Sequence, residues 1–153
     1  MERELAIDFV VHGDPDDPAA GTAGPWAESA QPGDVMHLRG PGGAYAPDPS
    51  ADWHLLVGDE TAIPAISTAI EAMEPGARAA VFIEVDGPED EVEWSTEAVL
   101  EVHWLHRDGA EHGTTSLLDD AVRAWDWWPG RAQAFVHGES ALLKTVRPYV
   151  RTD

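Results

Sequence analysis

A chain of 153 residues has room for one well-buried core and an appendage, and its 43% apolar content excludes global disorder. A net charge of −20 argues against a nucleic-acid partner, because phosphates would be repelled. With no cysteine there are no disulfides, thiolate zinc sites, cysteine-bound iron–sulfur clusters or cysteine nucleophiles.

No apolar run approaches the roughly 18–20 residues of a membrane span. The opening Met1-Glu2-Arg3-Glu4 lacks a basic region followed by an apolar one, so no signal peptide is expected and the cytoplasm is the natural location. Basic residues amount to one lysine, Lys144, and eight arginines, and the excess charge is read as a solvated surface.

Residues 4–12 read as a strand, rich in β-branched and aromatic residues. Residues 13–24 form a Pro/Asp/Ala/Gly loop, and Pro25 suits the first position of a short helix that Gln31-Pro32-Gly33 ends. Asp34–Arg39 reads as another short strand. The run Gly40-Pro41-Gly42-Gly43 through Pro49 marks a boundary, dividing a segment 1–48 from a domain 49–153.

Beyond it the pattern alternates: strand 53–57, helix 62–74, strand 79–85, acidic loop 86–97, strand 98–106, helix 116–125, strand 132–137 and helix 139–147. Such alternation predicts an α/β fold, a Rossmann-like parallel sheet with helices on both faces. Along the third strand Ala98, Leu100, Val102 and Trp104 face one way, while Val99, Glu101, His103 and Leu105 face the other. The half-polar face suits an edge, as in the strand order 3-2-1-4.

Chemistry is expected at the carboxyl edge of that sheet. The run Trp53-His54-Leu55-Leu56-Val57-Gly58-Asp59-Glu60-Thr61 carries a strand through glycine into a helix, where α/β sheets bind anions. Gly58, Asp59, Glu60 and Thr61 are therefore candidates for a nucleotide. The alternative is a capped helix, with Asp59 or Thr61 accepting from unpaired N–H groups. Two acidic residues are a poor reception for a pyrophosphate, and the turn is not Gly-x-Gly-x-x-Gly.

Phe135-Val136-His137-Gly138-Glu139 repeats the theme, so Gly138 and Glu139 would frame the same crevice. Glu84 ends the second strand, where it could accept from a ribose hydroxyl; the plainer alternative is a solvated carboxylate. His103 and His106 are odd-spaced on one strand and face opposite ways, so no metal site is expected from them with His112. Trp125, Trp127 and Trp128 are expected to fill the space between helix and sheet. No catalytic constellation can be assembled.

Several stretches resemble one family along nearly the whole chain: Asp8-Phe9-Val10-Val11-His12-Gly13, Thr22-Ala23-Gly24-Pro25-Trp26-Ala27, Pro32-Gly33-Asp34, Gly40-Pro41-Gly42-Gly43-Ala44-Tyr45, Asp52 through Thr61, Trp104-Leu105-His106-Arg107, Ser116-Leu117-Leu118 and Gly138-Glu139. The chain resembles the siderophore-interacting proteins, FAD-dependent ferric-siderophore reductases related to ferredoxin reductases.

The resemblance implies a remnant of a flavin-binding barrel followed by a nicotinamide-binding α/β domain. It implies that His12, Gly13, Thr22, Ala23, Gly24 and Trp26 touch the FAD pyrophosphate, and that Gly58–Thr61 with Gly138 and Glu139 line the NAD(P)H crevice. The implied reaction passes electrons from NAD(P)H through FAD to Fe(III) held by a siderophore substrate. The family's Arg-x-Tyr-Thr flavin motif is absent, the first residues fall inside the barrel's last strands, and Arg151-Thr152-Asp153 precedes the family's final strand. Tight FAD binding by this chain alone is thus not expected. The competing expectation is a non-catalytic interaction module with a decayed nucleotide site, docking to a separate flavoprotein.

Overall fold

The computed structural model describes residues 7, 9, 22–37 and 45–151. The chain forms two units, Met1–Gly42 and Gly43–Asp153. In the first, the described residues hold one helix, α1 (Ala23–Ser29), and the Phe9 and Trp26 rings lie 6.1 Å apart. Pro25 is the third helical residue, not the first; its missing N–H still falls among those a helix's first turn leaves unpaired. The expected strand at 4–12 lies outside the described residues apart from Ile7 and Phe9. Residues 34–37 of the expected strand 34–39 are not a strand, and Val35 is 75% exposed; among the described residues no strand pairs with them, so β-propensity alone does not make one.

The second unit holds β1 (Trp53–Asp59), α2 (Ile63–Glu71), β2 (Arg78–Val85), β3 (Val99–His106), α3 (Leu117–Ala124), β4 (Ala132–His137) and α4 (Ser140–Val150). All neighbouring strands are parallel, in the order β3-β2-β1-β4. This is the doubly wound α/β arrangement that the strand–helix alternation and the half-polar third strand predict. Among the described residues no helix is long and apolar enough to cross a membrane.

Each face of the sheet has its own core. Trp53, Leu55 and Val57 of β1 join Ala80, Phe82 and Val136 beneath Leu118 and Val122 of α3 and Val146 of α4. Leu56 points the other way, joining Ala79, Val81, Ile83 and Val85 against Ile66 and Ile70 of α2. β1 is buried along its whole length, as expected for a central strand covered on both faces. The edge strand β3 packs Leu100, Val102 and Trp104 on the α2 side, while His103 of its other face stacks on Phe82 at 4.3 Å. Trp53 meets Trp125, Trp127 and Trp128 edge-on at 5.6–5.7 Å, so these rings do fill the space between helix and sheet.

The neighbouring His54 is also buried, 3% exposed, with Nδ1 3.4 Å from the Tyr45 hydroxyl. Burial holds its imidazole below the ordinary value of 6.5. In the window between the folded value and 6.5 the unfolded chain binds the proton that the folded chain refuses. Stability is therefore expected to fall as pH drops through that window. His54→Leu should flatten the slope between roughly pH 7 and 5, read from urea midpoints in parallel with the parent. Equal slopes for the two proteins would show that His54 does not set this dependence.

Candidate functional site

The order 3-2-1-4 reverses direction between β1 and β4, and doubly wound sheets bind ligands outside the carboxyl ends of the strands at that point. Both glycine turns lie there, with Gly58 in register opposite His137. A Cβ at Gly58 would stand 2.3 Å from Ala62 Cβ and 2.7 Å from the His137 carbonyl oxygen. The space beside this glycine is filled by the protein's own chain. Gly138 has φ +146°, a region that favours glycine, and it turns the chain from β4 into α4.

Asp59 ties the two turns together. It is 3% exposed; Oδ1 accepts from the Thr61 backbone N–H at 3.0 Å and the Thr61 hydroxyl at 2.5 Å, and Oδ2 accepts from the Glu139 N–H at 2.8 Å. The capping role that the sequence allows for Asp59 is thus realised, with a second acceptance from across the crevice. Thr61 is spent on the same contact.

Glu60 turns toward β3. Both of its oxygens accept from Arg107, at 2.8 and 2.7 Å, and this pairing holds the guanidinium above its ordinary value. Arg107 leaves β3 with its N–H donating to the Val85 carbonyl, and the next residue, Asp108, takes φ +51°. Glu84 is not solvated: it is 5% exposed, accepts from the Thr115 hydroxyl at 2.7 Å and lies 3.8 Å from Arg107 Nη1. His112, on the loop between β3 and α3, stands within 3.8 Å of Asp59, Glu60 and Glu139. Arg107, His112 and Thr115 were not singled out as site residues from the sequence. Their partners lie 23 to 53 positions away, beyond any local spacing; the signals for Arg107 were its place directly after a strand's carboxyl end and in the stretch Trp104-Leu105-His106-Arg107.

The crevice is a cavity of about 130 Å³ whose walls include Asp59, Glu84, Asp119 and Glu139. A pyrophosphate does not fit it. The Thr61 and Glu139 N–H groups that would receive a phosphate already donate to Asp59, and the walls would repel a second anion.

In the first unit, His12 and Gly13 lie outside the described residues. Thr22 precedes α1 without capping it through its side chain, and Ala23 and Gly24 form the helix's first turn. Trp26 is 37% exposed. A first turn that receives no cap from the Thr22 side chain, with the part-exposed Trp26 ring in the same helix, is compatible with contact to a flavin nucleotide.

Residues 51–153 match the family model of the siderophore-interacting protein, and residues 1–45 match that of the siderophore-interacting FAD-binding domain. The chain belongs to the siderophore-interacting protein family. Among similar members, an uncharacterized protein of Mycobacterium tuberculosis is 48% identical over 99% of this chain and 54% of its own length. Ferric vibriobactin reductase of Vibrio cholerae is 47% identical over 100% of this chain and 55% of its own. The crystal structure of a siderophore utilization protein from T. fusca superposes with a TM-score of 0.73 at 34% identity, covering 94% of this chain and 52% of that one. The chain thus spans about half the length of the relatives it matches.

Proposed function

We propose that this siderophore-interacting protein takes part in reducing siderophore-bound Fe(III), contributing the α/β domain and part of the flavin domain of a ferric-siderophore reductase. The observation that carries this reading is the succession of two family matches, flavin-binding and then siderophore-interacting, along one chain. A relative named ferric vibriobactin reductase supports the substrate class. Flavin, when bound, supplies two-electron acceptance and one-electron delivery. In this reading His12, Gly13 and Thr22–Trp26 touch it, and the rest of the chain orients the ferric substrate. NADH or NADPH enters only as the electron source, with its phosphates outside the Asp59 crevice.

A place for the substrate is offered on the β4 side. A hollow of about 420 Å³ is lined by the Tyr45, Phe135 and His137 rings together with Arg147 and Arg151. The rings are 5.0 and 6.0 Å apart in succession, and burial pushes the Tyr45 hydroxyl up to about 12, so it stays protonated. Two arginines beside aromatic faces suit an anionic chelate with aromatic arms.

The test is to incubate the purified chain with FAD, then supply NADH or NADPH, a ferric tris-catecholate and a ferrous-specific chromophore. Ferrous release that depends on FAD kept in excess in the assay, and that is weakened by Arg147→Ala, is the expected outcome. A chain that reduces no iron even with excess FAD would favour the second reading, a non-catalytic module docking to a separate flavoprotein. The occupied phosphate seat at Asp59 is the observation that keeps that reading in view.

A further inference from the structure

The crevice that refuses a phosphate has the features of a cation site. His112 Nε2 lies 3.5 Å from Asp59 Oδ2 and 3.4 Å from Glu60 Oε2. The three residues offer ligand atoms that all fall within 4.8 Å of one another. Nε2 is shielded from solvent, and among the described residues it has no hydrogen-bond partner. These separations are too long for an N–H···O bond, which closes to about 2.7–3.2 Å. They match the edge of a tetrahedron drawn around a cation with ligand bonds of about 2.1 Å, which is ~3.4 Å.

We propose that Asp59, Glu60 and His112 bind a first-row divalent transition-metal cation. Each carboxylate is already held in place by other groups. Asp59 is fixed by the Thr61 and Glu139 N–H groups, and Glu60 by both amino groups of the Arg107 fork. Outer partners of this kind orient metal ligands, and a carboxylate oxygen that accepts one hydrogen bond keeps a lone pair for a metal. The charge balance favours a cation: among the described residues Asp59, Glu60 and Glu84 gather around one guanidinium, that of Arg107, which Glu60 and Glu84 already share.

One imidazole nitrogen with two carboxylate oxygens suits Mn²⁺, Fe²⁺, Co²⁺ or Zn²⁺ over the all-oxygen preference of Mg²⁺ and Ca²⁺. Three protein ligands leave a fourth position for water or an exchanging ligand. Ferrous ion is the physiological cation if ferric reduction occurs here, and that one step rests on the reductase reading. The set would then receive the iron when its siderophore lets go.

The test uses Co²⁺ alone, added to the metal-stripped chain without flavin or siderophore, and follows visible absorption and dialysis stoichiometry. One Co²⁺ per chain is expected, displaced by Zn²⁺ or by excess Fe²⁺ but not by the same excess of Mg²⁺. His112→Ala should weaken binding by at least about tenfold. His106→Ala, which removes a histidine paired with Glu91 at 2.8 Å, should leave it unchanged. Should His112→Ala melt below the assay temperature, Glu60→Gln carries the same comparison. Absence of saturable binding, or equal binding by the parent and the His112 variant, overturns the proposal. With no flavin in the assay, such a result leaves the reductase reading untouched, and failed ferric reduction would leave the metal site standing.

Discussion

Replacing Arg107 by alanine is expected to cost the fold about 3–5 kcal/mol, the toll of removing one partner from a buried ion pair. The Arg107 side chain is only 6% exposed, and so is that of Glu84, 3.8 Å away. Without the guanidinium, Glu84 keeps the Thr115 hydroxyl but no positive charge, and Glu60 loses both of its donors. Against a domain stability of roughly 5–15 kcal/mol this is a large fraction. Urea unfolding should show the midpoint dropping with the slope unchanged. The double variant Arg107→Met with Glu84→Gln should recover part of the loss, because the amide remaining beside Thr115 carries no charge. No recovery would mean that Arg107 matters through packing and Glu60, not through charge balance with Glu84.

Gly58→Ala is the second severe change, expected at about 3 kcal/mol, the upper end of ordinary overpacking. Both obstacles are stiff: a buried alanine Cβ at 2.3 Å and a carbonyl oxygen of β4 at 2.7 Å. Neither can swing aside as the end of a long side chain would. Relief requires β4 to slide or the 3₁₀ turn Glu60–Ala62 to lift, and either movement disturbs the Asp59 bonds. The midpoint of urea unfolding should fall accordingly, and a variant as stable as the parent would show that this junction yields more readily than its distances imply. A substitution at Gly58 is therefore a poor probe of ligand binding, because lost structure and lost affinity would look alike.

The sheet was legible because the pattern of burial leaves a trace in local sequence. A β1 run apolar on both faces belongs in the middle, and a β3 with Glu101 and His103 on one side belongs at the edge. Helix ends were less legible. α2 stops at Glu71, not near residue 74: the Ala72 and Met73 N–H groups close a tight turn back on the helix, and the Ala77 N–H donates to the Glu74 carbonyl in the turn beyond it.

The Asp-x-Thr spacing gave away the local cap at Asp59, yet nothing near it in sequence reveals that its other oxygen receives Glu139, 80 positions later. His112 was weighed against the wrong companions for the same reason. Its neighbours along the chain are His103 and His106, but its neighbours in space are carboxylates at the ends of β1 and β4, Asp59, Glu60 and Glu139.

That bond from Glu139 to Asp59 has a consequence for timing. β1 is the first strand of its sheet and β4 the last, so the crevice cannot exist until nearly the whole domain has been made and its two most distant segments have met. Closing so long a loop costs entropy before any contact repays it, and pairings of this separation come late in folding. On the ribosome β1 can find β2 early, but its other edge waits open and apolar for a partner still being synthesised. The site is consequently expected among the last parts of this domain to form, since it needs both β1 and the turn after β4 in place.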